Sequence, residues 1–141
     1  MSKPTAPEAQ AIVTRLAHAL DADDFSSARA YLDDDCVYAG LDETRRGSEA
    51  ILASYADASA RAHRTFDEVR YASEVAAGAG ATVSVTFTDY LLKAGGRWHR
   101  YRCRQEFTVG PAGRIVRITH HELPGEREGL DAYFEECGIE R

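Results

Sequence analysis

Hydrophobic and polar residues recur along this chain with two different periods, one in each half. In the N-terminal half, apolar side chains recur at helical spacing, which predicts a first helix from Glu8 to about residues 21–24. The same spacing predicts a short second helix over residues 25–32 and a third over residues 48–62, with Ser48 as the N-cap of the third. Between the last two helices, a strand is predicted to begin at Cys36.

In the C-terminal half the period becomes two, the side-chain period of a β-strand. Strands are predicted over residues 66–76 and 82–92 and on both sides of the Gly-Pro-Ala-Gly turn at 110–113, forming an antiparallel meander. A final helix is predicted over residues 126–137, with Gly138 at its C-terminal stop position. Helices followed by an antiparallel sheet indicate the α+β class, and we expect one domain over residues 1–141.

Polar side chains interrupt the apolar faces of the two strands beside that turn. Gln105 and His120 each share a strand face with largely apolar neighbours. Gln105 shares its face with Tyr101, Cys103, Phe107 and Val109. His120 shares its face with Val116, Ile118 and Glu122. A buried amide, imidazole or carboxylate is costly unless something satisfies it, and a lined cavity often does so. These positions therefore predict a pocket.

Asp89 lies on the face of the strand 82–92 that also carries four apolar side chains, Val83, Val85, Phe87 and Leu91. Removal from water raises the pKa of such a carboxyl group. The alternative is that the opposite face, which is rich in threonine, points inward. Threonine-rich faces are usually the solvated ones, so we expect Asp89 to point inward.

The predicted pocket contains groups suited to proton transfer. His120 is the candidate general acid or base, Asp89 would orient it, and Tyr38 would donate a hydrogen bond. Gln105 would help to hold an oxygen atom of the ligand. The alternative for His120 is a structural or ligand-orienting role. Cys103 is expected to be a small core residue rather than a nucleophile, since a nucleophilic role would require a lowered thiol pKa and an adjacent base.

The run His120-His121-Glu122 also raises the question of a metal site. Neighbouring residues on a strand point to opposite faces, so a metal would have to use His120 and Glu122, with Asp89 as a third ligand. No HExxH helix or cysteine cluster supports this set. We therefore expect neither a metal ion nor another cofactor.

Composition restricts the partners of the chain. Its 141 residues carry a formal net charge of −6, which argues against a nucleic-acid partner. No apolar run is long enough to span a membrane, and no signal peptide is visible. Three scattered cysteines are typical of reduced thiols, so a cytoplasmic location is expected.

The outer face of the predicted sheet carries a row of arginines. Trp98 is in phase with Arg100, Arg102 and Arg104, and an exposed tryptophan beside arginines is a composition enriched in interfaces. We expect a homodimer built on this face. The alternative is a monomer whose arginines are solvated or paired with acids.

Four short segments carry a resemblance to a known superfamily: D-x-D-D-F at 21–25, DDDCVY at 33–38, RGSEAI at 46–51 and GRI at 113–115. With the order of elements, they resemble the NTF2-like superfamily, which includes ketosteroid isomerases, scytalone dehydratases, limonene-epoxide hydrolases and SnoaL-type polyketide cyclases. The resemblance implies an NTF2-like cone, with three N-terminal helices on a curved, mixed, mainly antiparallel sheet and a short C-terminal helix. It does not identify a reaction, because this fold supports isomerases, dehydratases, hydrolases and non-catalytic modules.

The ketosteroid isomerase site is not kept in this chain. By the resemblance, its catalytic tyrosine falls at Leu16, its general-base aspartate at Gly40 and its oxyanion-hole aspartic acid near Gln105. None of the three residue types is present, so the resemblance does not imply steroid isomerisation.

The limonene-epoxide hydrolase site is kept in part. Its pocket tyrosine matches Tyr38, whereas its asparagine falls on Gly40. Its arginine and aspartate fall near Phe87 and Asp89, and its second aspartate falls on His120. One acid and the tyrosine remain, so epoxide hydrolysis is an analogy only.

The sequence therefore predicts a pocket for a small hydrophobic molecule. The residues expected to line it beside His120 and Asp89 are Leu16, Tyr38, Tyr55, Phe87, Tyr101 and Gln105. An enzyme of this kind would use cofactor-free acid–base chemistry for isomerisation, dehydration, cyclisation or water addition. The alternative is a non-catalytic ligand-binding or protein-interaction domain of the same fold.

Overall fold

The computed structural model of the chain describes residues 3–140. Its helices are α1 (Ala6–Asp21), α2 (Phe25–Ala28), α3 (Ser48–Thr65) and α4 (Glu126–Glu136), and a 3-10 turn at Arg29–Tyr31 follows α2. Its strands are β1 (Leu32–Ala39), β2 (Thr44–Arg46), β3 (Glu68–Ala77), β4 (Thr82–Leu92), β5 (His99–Val109) and β6 (Ile115–Glu122). The six strands form one sheet in the order β2-β1-β6-β5-β4-β3.

The sheet is mixed, as the resemblance implies. The β1–β6 pair is parallel, and every other neighbouring pair is antiparallel. Within residues 3–140, three helices and a 3-10 turn before β3 and one helix after β6 complete the α+β architecture. No helix within residues 3–140 is long and apolar enough to cross a membrane.

Helix α1 is stabilised at its start and buried along one face. Thr5 and Glu8 form a reciprocal capping box that satisfies backbone N–H groups of the first turn. Val13 and Leu16 are fully buried, and Leu20 is nearly so. This face packs across β3, β4 and β5, which places the C-terminal end of α1 over the sheet.

The alternation predicted for β4 and β5 is confirmed. Strand β4 has the predicted bounds, and its inward residues Val83, Val85 and Leu91 are buried. Asp89 lies on that same inward face, opposite Tyr71 of β3 and Tyr101 of β5. On β5, Gln105 is buried.

The face predicted for Val116 is wrong. Val116 is exposed, whereas Ile115 and Ile118 are both buried although they are three residues apart. The β5–β6 register shifts at this point, since Thr108 lies opposite Arg117 but the next residue lies opposite Ile115. The extra residue of this β-bulge turns Val116 outward, which strict alternation cannot predict.

Two local predictions also need correction, and one strand was missed. Strand β1 begins at Leu32, four residues before the predicted start at Cys36, and the short strand β2 was not predicted. The N-cap of α3 is Gly47, with φ +91°, and Ser48 is the buried first residue of the helix. Glycine is favoured there because the backbone lies in the left-handed half of φ.

The buried residues form two clusters. The larger lies between α1, α3 and the sheet. The smaller is formed by Phe66, Leu91 and the fully buried Tyr133 of α4. The Tyr133 hydroxyl donates to the backbone oxygen of Arg97 at 2.6 Å and accepts from the backbone N–H of Lys93 at 3.1 Å, which fixes α4 against the β4–β5 connection.

Candidate active site

A cavity of about 200 Å³ lies between the helices and the inward face of the sheet. Its walls come from the end of α1, the α1–α2 connection, α2, α3 and the three strands β3, β4 and β5. The lining residues are Leu20, Asp21, Asp23, Phe25, Tyr55, Ala58, Ser59, Ala62, Tyr71, Phe87, Asp89, Cys103 and Gln105. Apolar and aromatic side chains thus surround three carboxyl groups.

Asp89 is the most perturbed acid of this cavity. No group within residues 3–140 donates a hydrogen bond to its carboxyl oxygens, although the side chain is largely buried. Burial, together with the smaller effect of the nearby carboxylate of Asp21, raises the pKa of Asp89 from 3.8 to about 7. Asp89 can therefore exist as an acid or as a base near neutral pH.

Asp21 at the end of α1 has one hydrogen-bond donor. The hydroxyl of Ser73 on β3 donates to its Oδ2 atom at 2.6 Å. Burial raises the pKa of Asp21, and the bond from Ser73 opposes this effect only in part. Its second carboxyl oxygen accepts no hydrogen bond from residues 3–140.

A chain of hydrogen bonds fixes the third carboxylate at the edge of the cavity. The Ser59 hydroxyl donates to Oδ1 of Asp23 at 2.7 Å and, with its single proton used, accepts from the Tyr71 hydroxyl at 2.9 Å. Nε2 of His63 lies 3.1 Å from Oδ2 of Asp23. These contacts tie the α1–α2 connection to α3 and β3.

At the opposite wall, the buried side chain of Gln105 joins three other polar residues. The Tyr55 hydroxyl donates to Oε1 of Gln105 at 2.6 Å. Nε2 of Gln105 donates to the Tyr38 hydroxyl oxygen at 3.4 Å and to Nδ1 of His120 at 3.2 Å. Both amide protons are thus used within the protein, so Gln105 has no N–H left for a ligand oxygen.

The groups around Gln105 are held in their neutral forms. Burial raises the pKa of Tyr38 to about 12 and that of Tyr55 well above its ordinary value. Burial lowers the pKa of His120, against the opposing effect of Glu122. Because Nδ1 of His120 accepts from the amide, its proton lies on Nε2.

The structure brings some of the predicted site residues together and separates others. Asp89, Tyr55, Phe87 and Gln105 line the cavity, whereas Tyr38 and His120 contact Gln105 without lining it. Tyr101 packs against the smaller apolar cluster, and Leu16 is fully buried in the larger one.

Asp89 and His120 share the inward face of the sheet, but no contact joins them. Asp89 lies opposite Tyr101 on β5, and His120 lies opposite Gln105, four residues further along. That offset corresponds to about 13 Å along the strand, which is too far for a hydrogen bond.

Sequence reasoning missed four polar residues of the cavity, which are Asp21, Asp23, Ser59 and Tyr71. The D-x-D-D-F segment contains two of them, but as a pattern it indicates only the resemblance to the superfamily. Tyr71 shares the inward face of β3 with Val69, Ser73 and Val75. The alternation of inward and outward residues along β3 is therefore the sequence signal that indicates Tyr71 as a cavity residue.

The structure describes no arrangement of histidine, cysteine and acidic residues suited to a metal ion within residues 3–140. Cys103 lines the cavity, but burial raises the pKa of its thiol to about 12, which disfavours the thiolate. Among the titratable groups that line the cavity, the Asp89 carboxyl group is the one placed for proton transfer near neutral pH.

A family model for the SnoaL-like domain matches residues 13–118, which is most of the chain. The chain belongs to the SnoaL-like family. The SnoaL-like match and the sheet order place it among NTF2-like proteins, which confirms the fold implied by the resemblance. No curated protein sequence matches the chain.

Solved structures repeat this architecture. A protein assigned as a polyketide cyclase from Xanthomonas campestris is 18% identical with a TM-score of 0.64, and the match covers 94% of this chain and 98% of that one. An LEH-like epoxide hydrolase from M. tuberculosis is 25% identical with a TM-score of 0.59, covering 94% and 99%. A de novo designed protein with a curved β-sheet is 19% identical with a TM-score of 0.63, covering 94% and 98%. The fold is thus shared by proteins of different function.

Proposed function

We propose that this SnoaL-like protein is a cofactor-free acid–base enzyme acting on a small, largely apolar molecule held in the cavity. One observation carries the proposal: the Asp89 carboxyl group lines an apolar cavity without any hydrogen-bond donor from residues 3–140. A carboxyl group held in this way is reactive toward a proton on a bound ligand, because no protein contact competes for it.

Asp89 would act in both protonation states. The ionised form takes a proton from a ligand C–H bond or from a water molecule. The neutral form then gives that proton to another atom of the ligand, which restores the ionised form of Asp89. Isomerisation, dehydration, cyclisation and water addition all need such a transfer, and a pKa of about 7 favours both directions near neutral pH.

We assign His120 a positioning role in this mechanism. Its Nδ1 atom accepts the amide of Gln105, and the same amide holds Tyr38. The network fixes Gln105 and Tyr55 as a rigid wall of the cavity. Rigid walls keep a ligand at a constant distance from the proton-transfer group.

A probe reaction tests the role of Asp89 without knowledge of the natural substrate. 5-Nitrobenzisoxazole loses its C3 proton to a base, its N–O bond then breaks, and a coloured 2-cyano-4-nitrophenolate forms. We expect the protein to accelerate this ring opening over buffer, with a rate that rises as Asp89 ionises near pH 7. Asp89→Asn should lower the rate by about a hundredfold or more.

Asp57→Asn is the matched control, because Asp57 is an exposed acid of α3 that does not line the cavity. It should keep the rate of the unmodified protein. An unchanged rate in Asp89→Asn would contradict the proposal. Probe binding without any Asp89-dependent rate would instead support the non-catalytic binding domain.

We also propose that two copies of the chain pair through the outer face of the sheet. Trp98 is 41% exposed and packs under the guanidinium group of Arg70 at 5.4 Å. Arginines on β5 and glutamates on β3 point to this same face. In a twofold dimer, the arginines of one copy would therefore lie near the glutamates of the other.

A further inference from the structure

The cavity offers hydrogen-bond acceptors and almost no donors. The Tyr55 proton is given to Gln105, the Tyr71 proton to Ser59, and the Ser59 proton to Asp23. Both amide protons of Gln105 are given to Tyr38 and His120. The lining hydroxyl and amide protons are therefore all used within the protein, whereas carboxyl oxygens remain free.

The free acceptors lie on two carboxyl groups. Both oxygens of Asp89 and one oxygen of Asp21 accept no hydrogen bond from residues 3–140. The two groups lie close enough for the charge of Asp21 to affect Asp89. Two ionised carboxyl groups facing one cavity repel each other unless a proton or a cation lies between them.

None of the thirteen lining residues is a lysine, arginine or histidine. His18 of α1 lies near enough to Asp21 to lower the pKa of that acid, but its imidazole is not among the lining residues, so no cationic side chain lines the cavity itself. His63 lies at the third acid, Asp23, outside the set of lining residues. An anionic ligand would meet like charge from the ionised acids here, and no tyrosine, serine or amide proton of the lining residues is free to hold it.

The remaining walls are aromatic or aliphatic. Phe25, Tyr55, Tyr71 and Phe87 contribute rings, and Leu20 with two alanines contributes aliphatic surface. Aromatic faces attract cations as well as apolar groups. A volume of about 200 Å³ suits a molecule built on one ring.

We infer that the natural ligand is a one-ring molecule bearing a protonated amine, with its ammonium group between Asp89 and Asp21 and its ring against the aromatic walls. This inference rests on the cavity being the ligand site of the proposed function. An ammonium group supplies the donors and the positive charge that the walls lack. It also favours the ionised form of Asp89, the form that accepts a proton.

Three probes of nearly equal size separate charge from shape: benzylamine as the cation, benzyl alcohol as the neutral analogue and benzoate as the anion. Their affinities can be measured by calorimetry and by shifts of backbone amide signals in NMR spectra. We expect benzylamine to bind about tenfold or more tightly than benzyl alcohol, because its hydrogen bonds are charge-assisted. Benzoate should bind more weakly than either.

Variants identify the acids responsible. Asp89→Asn and Asp21→Asn should each remove most of the preference for benzylamine while changing the affinity for benzyl alcohol less than about twofold. Asp57→Asn removes the same charge from an exposed position of α3, so the preference should persist. Unchanged binding of the alcohol shows that a variant remains folded.

Equal affinities for benzylamine and benzyl alcohol would overturn the inference, as would the absence of benzylamine binding. Retention of the preference in both variants would also overturn it. None of these results bears on the ring opening of 5-nitrobenzisoxazole, which is neutral. The role of Asp89 in proton transfer and the charge of the ligand are therefore tested separately.

Discussion

The side-chain amide of Gln105 donates to Nδ1 of His120 at 3.2 Å across the β5–β6 ladder. This contact fixes the tautomer of His120, because a nitrogen that accepts an amide proton cannot carry one itself. It also joins β6 to the wall of the cavity. The imidazole is thereby held by the protein rather than left free to exchange protons with a ligand.

We predict that His120 is neutral at pH 7 with its proton on Nε2. Burial lowers its pKa below the usual value, so the ring should become protonated only in more acidic solution. Nitrogen-15 NMR distinguishes the two ring nitrogens and follows their titration. A proton on Nδ1 at pH 7 would contradict the hydrogen-bond pattern.

Asp89 should make the stability of the protein depend on pH. Its pKa is about 7 in the folded chain and near 3.8 when exposed, so the unfolded state binds fewer protons between these values. The free energy of unfolding therefore falls as the pH rises from about 4 to 7. Asp89→Asn removes this penalty and should be roughly 2–4 kcal/mol more stable than the unmodified protein at pH 8.

Chemical denaturation of both proteins at pH 4.5 and pH 8 measures this effect. The free energy of unfolding of Asp89→Asn should exceed that of the unmodified protein only slightly at pH 4.5 and by the whole 2–4 kcal/mol, roughly, at pH 8. The difference between Asp57→Asn and the unmodified protein should be the same at both pH values. The titratable groups that face Asp89 are Asp21 of α1, Tyr71 of β3 and both Tyr101 and Cys103 of β5. The tyrosines and the thiol stay neutral between pH 4.5 and pH 8. Asp21 is therefore the neighbour that affects how the free energy of unfolding depends on pH. A pH-independent difference would contradict the assignment.

Tyr55→Phe should destabilise the protein through Gln105. The variant removes the 2.6 Å bond to Oε1 and leaves a buried carbonyl oxygen without a donor. An unsatisfied buried acceptor costs about 1–3 kcal/mol. Denaturation of Tyr90→Phe is the control, because Tyr90 is exposed on β4. Equal stabilities of the two variants would show that the Tyr55–Gln105 bond contributes nothing.

Much of the fold follows from local sequence pattern, and its exceptions have local causes. The period of two gives the bounds of β4 and places Asp89 and Gln105 inward. It fails at Val116, because a bulge adds a residue that no periodic pattern contains. It also misses β2, whose three residues are too few to show a period.

The candidate site was less predictable because it depends on which residues meet across elements. Strand alternation shows that Asp89 and His120 share a face, but the offset between them depends on the register of three strands. Asp21 approaches Asp89 only through the packing of the end of α1 against β3. A helix end seen in sequence gives no indication of the strand it will contact.

The proposed dimer predicts the effect of a charge at Trp98. Placing a carboxylate at this exposed position beside Arg70 would remove the aromatic surface from the proposed interface. Light scattering of the unmodified protein at micromolar concentration should give twice the 15.5 kDa mass of one chain, and Trp98→Glu should give the mass of one. Leu41→Glu is the matched control, since Leu41 is 54% exposed in the β1–β2 connection, at the opposite end of the strand order from β3, which carries Arg70. It should leave the dimer intact. A single-chain mass for the unmodified protein would exclude the dimer, and a dimer that survives Trp98→Glu would place the interface elsewhere.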